Sequence, residues 1–210
     1  MNVIAFAPKF NTKGRKDATK AFQPEARAFL KFYGQPADNL CIIDNTRSDW
    51  AMKEAVLSAI DQHPRLKCVA FFCHGTKRGI QFGFTLKTIK DLAGVLASAS
   101  EVEGLMVPLY SCDTGRDQDR DRIDDEKDAI GGDGGFADTL RDALCGLGAI
   151  PCRVEAHTTP GHTTRNPNVR RFPGLYKTGG VGGYYIVPQK SRNWKTWREM
   201  LQTPFRYEFP

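Results

Sequence analysis

The sequence predicts an α/β protein, a three-layer α/β/α sandwich on a mainly parallel sheet. Three observations lead there. Short, nearly continuous apolar runs recur at 2–7, 40–44, 67–73 and 104–110, as expected of strands covered on both faces. The stretches between them repeat apolar residues every three or four positions, the mark of amphipathic helices. The two patterns alternate, and alternating units of this length imply parallel strands with helices packed on both sides.

The elements follow in order. Residues 2–7 (NVIAFA) read as a first strand; the run is too short, and lacks the basic flank, for a secretory signal. Pro24 suits a first helical turn, after which Phe22, Ala26, Phe29, Leu30 and Tyr33 share a face until Gly34 ends the helix. A second strand is expected at 40–44 (LCIID). Met52, Ala55, Val56, Ala59 and Ile60 then form the most regular helical stripe of the chain. A third strand covers 67–73 (KCVAFFC). Leu86, Ile89, Ala93, Leu96 and Ala97 make a third helix, with Thr85 placed to cap it. After a fourth strand at 104–110 (GLMVPLY), Phe136, Leu140, Ala143, Leu144 and Leu147 predict a fourth helix closed by Gly148. Two later strands are expected at 152–157 and 183–187. A last short helix carrying Trp194, Trp197 and Leu201 should stop before Pro204.

The chain reads as a single domain over 1–210, large enough to bury roughly 70% of its unfolded surface. One internal segment is biased: 113–133 holds eight Asp, one Glu, three Arg and one Lys. So charged a stretch reads as a flexible surface loop within the domain.

Charge excludes some functions. The net charge is +6 with an isoelectric point near 9.0, but residues 1–150 sum to −1 and residues 151–210 to +7. A nucleic-acid module would be basic more evenly, and no recognition motif for nucleic acid is present, so no nucleic-acid partner is expected. No apolar run approaches the ~20 residues of a membrane helix, and no membrane partner is expected either. The six cysteines form no C-x-x-C pair, and five lie in or beside apolar runs. They read as reduced thiols of a cytoplasmic protein.

In an open parallel sheet, ligands gather at the carboxyl ends of the strands. After the third strand comes Cys73-His74-Gly75-Thr76, and after the fourth comes Ser111-Cys112-Asp113-Thr114-Gly115. A right-handed crossover helix between them would bring these two strand ends together. An imidazole beside a thiol favours the thiolate, the species that attacks a carbonyl. Gly75 would let the backbone turn sharply after His74. Its N–H, with that of Cys112, could form an oxyanion hole worth about 3 kcal/mol per donor. Cys73, pointing opposite to His74, reads as core.

Phe71-Phe72-Cys73-His74-Gly75 followed by Leu109-Tyr110-Ser111-Cys112-Asp113-Thr114-Gly115 resembles the caspase-like (clan CD) cysteine peptidases. It is closest to the CHAT-domain and metacaspase-like branch, whose cysteine motif usually reads Leu-Ser-Ala-Cys-x-Thr-Gly. The stretch from Gly134-Gly135-Phe136 to Ala149 also resembles that branch. The resemblance covers 67–157 at motif level. It implies a caspase-like sandwich and a cysteine endopeptidase (a hydrolase of the thiol protease type), with Cys112 as nucleophile, His74 as general base and acid, and Gly75 at the oxyanion hole. It departs at Ser111, where Ala is usual, and at 157–168, which lack the branch's Trp-containing segment.

A protein or peptide substrate follows from this reading, with no cofactor, since a His–Cys dyad needs none. Asp113 and Glu155 are candidates for holding a basic substrate side chain, and Arg170 and Arg171, with Arg165, for an acidic one. These arginines, and His157 and His162, are expected in a surface loop after the fifth strand, where the histidines could shape the groove. The charged loop 113–133 is a candidate for self-processing.

The same residues admit other readings. A zinc site from Cys73, Cys112, His157 and His162 lacks any short-spaced ligand pair, and the Asp-rich loop lacks the spacing of a calcium-binding loop. No phosphate-binding glycine motif follows a strand. The alternative in a different class is a catalytically silent caspase-like domain that serves as a protein-interaction module.

Overall fold

Apolar runs too short for helices pair with one another, and the amphipathic stretches cover the sheet they make. The computed structural model describes residues 2–11, 22–101, 104–116, 134–149, 151–160, 169–176 and 184–186. Its strands are Val3–Pro8 (β1), Leu40–Ile43 (β2), Cys68–Phe72 (β3), Leu105–Tyr110 (β7), Cys152–His157 (β8), Val169–Tyr176 (β9) and Tyr184–Ile186 (β10), in the order β10-β9-β8-β7-β3-β1-β2. From β2 to β8 all pairings are parallel; β9 and β10 add antiparallel. A separate small antiparallel sheet is made by Gly75–Thr76 (β4), Gly79–Ile80 (β5) and Phe84–Thr85 (β6).

Side chains of successive strand residues go to opposite faces, and the core divides accordingly. Ile4, Phe6, Val69, Phe71, Val107 and Leu109 pack with the helices Asp49–Asp61 (α2), Ile89–Ala99 (α3) and Phe136–Gly146 (α4). Val3, Ala5, Ala7, Cys68, Ala70, Phe72 and Tyr110 pack with Gln23–Phe32 (α1) on the other side. Helices therefore cover both faces of a mainly parallel sheet, as expected. Aromatic rings stack within each half, Phe6 on Phe71 at 5.2 Å and Phe72 on Tyr110 at 4.5 Å. Each such buried ring contributes roughly 2 kcal/mol of transfer free energy.

Helix ends follow the local chemistry. Pro24 opens α1, and Gly34 behind it has the left-handed φ of 63° that stops the helix. Ser48 caps α2 by accepting from Ala51 N at 3.3 Å. Among the described residues, no helix is long and apolar enough to cross a membrane.

Two expectations change. The third helix begins at Ile89 rather than near Leu86, because Thr85 belongs to β6. Its hydroxyl still caps a turn, accepting from Lys87 N at 3.3 Å. The short alternation Ile80, Phe82, Phe84, all buried, carries the small sheet and consumes the residues that resembled a helix start. Arg170 and Arg171 lie in β9, paired with β8, and not in a loop. Pro173 and Gly174 disguise this strand in the sequence; yet Gly174 is needed there, because a Cβ would strike the sulfurs of Cys145 and Cys152. The expected helix around Trp194 and Trp197, most of the charged loop (117–133), and His162 and Arg165 lie outside the described residues.

Candidate active site

The β3–β7 pairing matches Phe71 with Leu109 and Phe72 with Tyr110. Carried past the strand ends, this register sets Cys73 level with Ser111 and His74 level with Cys112. The first of these pairs is in contact, Cys73 Sγ to Ser111 Oγ at 3.2 Å. Gly75 ties the second together. A Cβ there would lie 2.6 Å from Ser111 Cβ, 2.8 Å from Thr114 Cγ2 and 3.0 Å from the Cys112 carbonyl oxygen. Gly75 thus lies in the extended strand β4, where the sequence had suggested a sharp turn. It must be glycine because the two loops touch there.

His74 is exposed, but its ring is held in place. Its N–H donates to Gln81 Oε1 at 3.2 Å, and its carbonyl accepts from Gln81 N at 2.9 Å. Nε2 lies 2.7 Å from the Asn11 carbonyl oxygen and 3.1 Å from Asn11 Oδ1, and Phe22 meets the ring edge-on at 5.0 Å. A carbonyl oxygen only accepts, so Nε2 carries the proton and donates it. Nδ1 then carries the lone pair, the position at which a neutral imidazole accepts a proton.

The Cys112 turn is pinned at both ends. Thr114 Oγ1 donates to the Ser111 carbonyl at 2.9 Å, closing the turn on itself. Gly115 N donates to the His157 carbonyl at 2.8 Å. A Cβ on Gly115 would sit 2.8 Å from the Ala156 carbonyl, so the turn lies directly on β8. Ala137 N, in the first turn of α4, donates to the Thr114 carbonyl at 3.0 Å. Between these anchors Asp113 adopts φ 58°, a left-handed conformation that Asp tolerates better than most residues. Such outliers concentrate at functional sites. The half-buried Cys112 immediately precedes it.

The remaining candidates fall into two groups. Asp113 stays with Cys112, its carboxylate 3.4 Å from Arg116 Nη1. Glu155, His157 and Arg171 belong to the sheet behind. Glu155 is 5% exposed and lies between two guanidinium groups, 2.9 Å from Arg153 Nε and 3.1 Å from Arg171 Nε. Its charge is answered within the protein, contrary to its expected place in a substrate groove. His157 ends β8, buried, where the sequence had suggested a surface loop. Its ring meets Tyr110 edge-on at 6.0 Å, its Nε2 has no hydrogen-bond partner among the described residues, and burial pushes its pKa down to about 4. Arg170 is placed by its backbone opposite Ala156.

Cys73 is buried, and burial pushes its thiol up to about 12. Burial favours its protonated form at neutral pH, whereas Cys112 at the same edge is half-buried. Among the described residues, no group of three His, Cys, Asp or Glu side chains is placed to hold a metal ion. Asn11 and Gln81 were not foreseen. Neither belongs to a motif: the Asn11 contact is made only when distant segments meet, and the Gln81 contact only when the β4–β5 hairpin closes.

No protein-family model, curated protein or solved structure matches the chain.

Proposed function

We propose that the chain is a cysteine peptidase of the caspase-like kind, acting on protein or peptide substrates through His74 and Cys112. One observation carries the reading: the β3–β7 register and the seat of Gly75 on the Cys112 carbonyl bring a histidine and a reactive thiol to one edge of a parallel sheet. The three-layer arrangement and the parallel strand order also suit the caspase-like sandwich. Asn11 supplies the group that orients the base, completing the nucleophile–base–orienter logic of such sites.

In this mechanism His74 Nδ1 takes the Cys112 proton, and the thiolate attacks the scissile carbonyl carbon. The tetrahedral intermediate collapses as the C–N bond breaks, and His74 returns the proton to the departing amine. Water, deprotonated by His74, then cleaves the thioester and restores the thiol. The N–H groups of Gly75 and Cys112 are the candidate donors to the oxyanion. A thiol nucleophile of this kind suits a reducing, cytosolic setting. Glu155, already paired with two arginines, enters as a structural residue and not as a contact for a basic substrate side chain.

The test is labelling by a peptidyl acyloxymethyl ketone, followed by peptide mapping. Wild type should be labelled at Cys112, Cys112→Ala not at all, and His74→Ala about a hundredfold more slowly. Folded, reduced wild-type protein that takes no label at Cys112, or that labels equally fast without His74, would end the peptidase reading. The silent interaction module would then stand in its place.

A further inference from the structure

The hydrogen bonds that hold His74 do not end at Asn11. The segment leaving β1 makes a chain of paired contacts that leads to a residue well outside the site. Lys9 N donates to the Ile43 carbonyl at 2.8 Å, continuing the β1–β2 ladder one residue beyond the strands. At the next residue the ladder has no backbone partner, because β2 has turned away. Asp44 opens that turn, accepting from Thr46 N at 3.1 Å and from Thr46 Oγ1 at 2.7 Å. The side chain of Asn45 takes over the ladder. Its Oδ1 accepts from Phe10 N at 3.0 Å, and its Nδ2 donates to the Phe10 carbonyl at 2.9 Å.

A primary amide presents one donor and one acceptor side by side, as a peptide group does. Asn45 is only 4% exposed, so both bonds are made away from water, where an unpaired polar group costs about 1–3 kcal/mol. Gln23 Nε2 adds bonds to the Pro8 and Lys9 carbonyls at 3.0 and 3.2 Å. The backbone from Pro8 to Phe10 is thereby fixed on both edges, and the next residue is Asn11, whose carbonyl receives the His74 proton.

We infer that Asn45 is a positioning residue for the proposed dyad: by clamping Phe10 it sets the Asn11 carbonyl that fixes the tautomer and orientation of His74. The inference rests on the peptidase reading, since it concerns how His74 is held for Cys112. Asn45 touches neither residue and acts only through Phe10 and Asn11. Aspartate has the same shape but replaces the donor with a second acceptor, which would face the Phe10 carbonyl.

The experiment is the rate of Cys112 alkylation by iodoacetamide across pH 5–10, read by mapping the Cys112 peptide in the full-length reduced protein. Wild type should show an inflection that His74→Ala shifts, because the imidazole assists. Asn45→Ala and the isosteric Asn45→Asp should lower the rate at pH 7 by roughly tenfold to a hundredfold and move the inflection in the direction that His74→Ala moves it. Leu96→Ala, which opens a cavity in the opposite half of the core, should lower stability without moving the inflection. Circular dichroism confirms that each variant is folded, and the isosteric Asp variant serves if the Ala variant does not fold. If both Asn45 variants keep the wild-type inflection while His74→Ala shifts it, the positioning role is wrong and the dyad stands. The same holds if Leu96→Ala shifts the inflection as far as they do. If His74→Ala itself leaves the inflection in place, the dyad reading has failed first.

Discussion

β1 and β8 are both six-residue strands inside one mainly parallel sheet, but they are stabilised by opposite means. β1 is apolar on both faces, with Ile4 and Phe6 packed toward α2–α4 and Val3, Ala5 and Ala7 toward α1. β8 is apolar on one face only, through Cys152, Val154 and Ala156. Its other face presents Arg153, Glu155 and His157, all substantially or fully buried. α1 packs on β1, β2 and β3, and among the described residues it is the helix on that side. Burial at β1 therefore needs no particular protonation state. Burial at β8 depends on a carboxylate staying charged between two arginines and on a histidine staying neutral. The two halves of the sheet should respond differently to mutation and to pH.

The largest expected effect is at β1. Phe6→Ala removes a ring that is 0% exposed and stacked on Phe71, and should lower unfolding free energy by about 3–5 kcal/mol in urea titration. Glu155→Ala should come next, at about 3 kcal/mol, because it leaves two guanidinium groups facing each other without their shared counter-ion. Its loss should shrink at high salt, which screens that repulsion, whereas the loss from Phe6→Ala should not. A salt-independent loss at Glu155 would show that packing, and not charge, holds β8.

The smallest effect at neutral pH, and a growing one in acid, belongs to His157. Folded, it stays neutral down to about 4; unfolded, it takes up a proton near 6.5. Below pH 6.5 the unfolded chain thus binds more protons, so stability falls as pH drops from about 6.5 to about 4. The loss from this group reaches roughly 3 kcal/mol at the bottom of that window. Urea midpoints measured at pH 7, 5.5 and 4.5 should fall for wild type relative to His157→Phe, because the variant lacks the acid slope of this imidazole. Parallel curves for the two proteins would break the contrast between the strands.

The apolar half was the legible half. β1, β3, β7, α1, α2 and α4 are written in runs and stripes that local physics reads directly, and β8 was placed at 152–157 because its alternate residues are apolar. β9 was missed because Pro173 and Gly174 contradict a strand locally, and the reason for Gly174, two sulfurs behind it, exists only in the fold. The candidate dyad was legible because each member directly follows an apolar strand. Its support was not. Asn11 and Asn45 lie in polar stretches, and Gln81 at a polar position between Ile80 and Phe82, where a side chain in a hydrogen bond looks like one in water. Glu155 reads in the sequence as a groove residue, but its pairing with two arginines becomes visible only when β8 and β9 pair. The Thr- and Pro-rich flank of His157 suggests a surface loop, whereas the imidazole is buried at the end of β8.

The anchoring of the Cys112 turn has a consequence for synthesis on the ribosome. Gly115 donates to the carbonyl of His157, and Thr114 accepts from Ala137, so the turn around Cys112 can be completed only after a further forty or so residues have emerged. The partner of His74, Asn11, emerges long before, but closing so long a loop waits on β3 and β7. A nascent chain holding both His74 and Cys112 is therefore unassembled at this edge until β8 arrives. The order of emergence gives the growing chain a delay, built from topology alone, before the Cys112 turn is fully anchored.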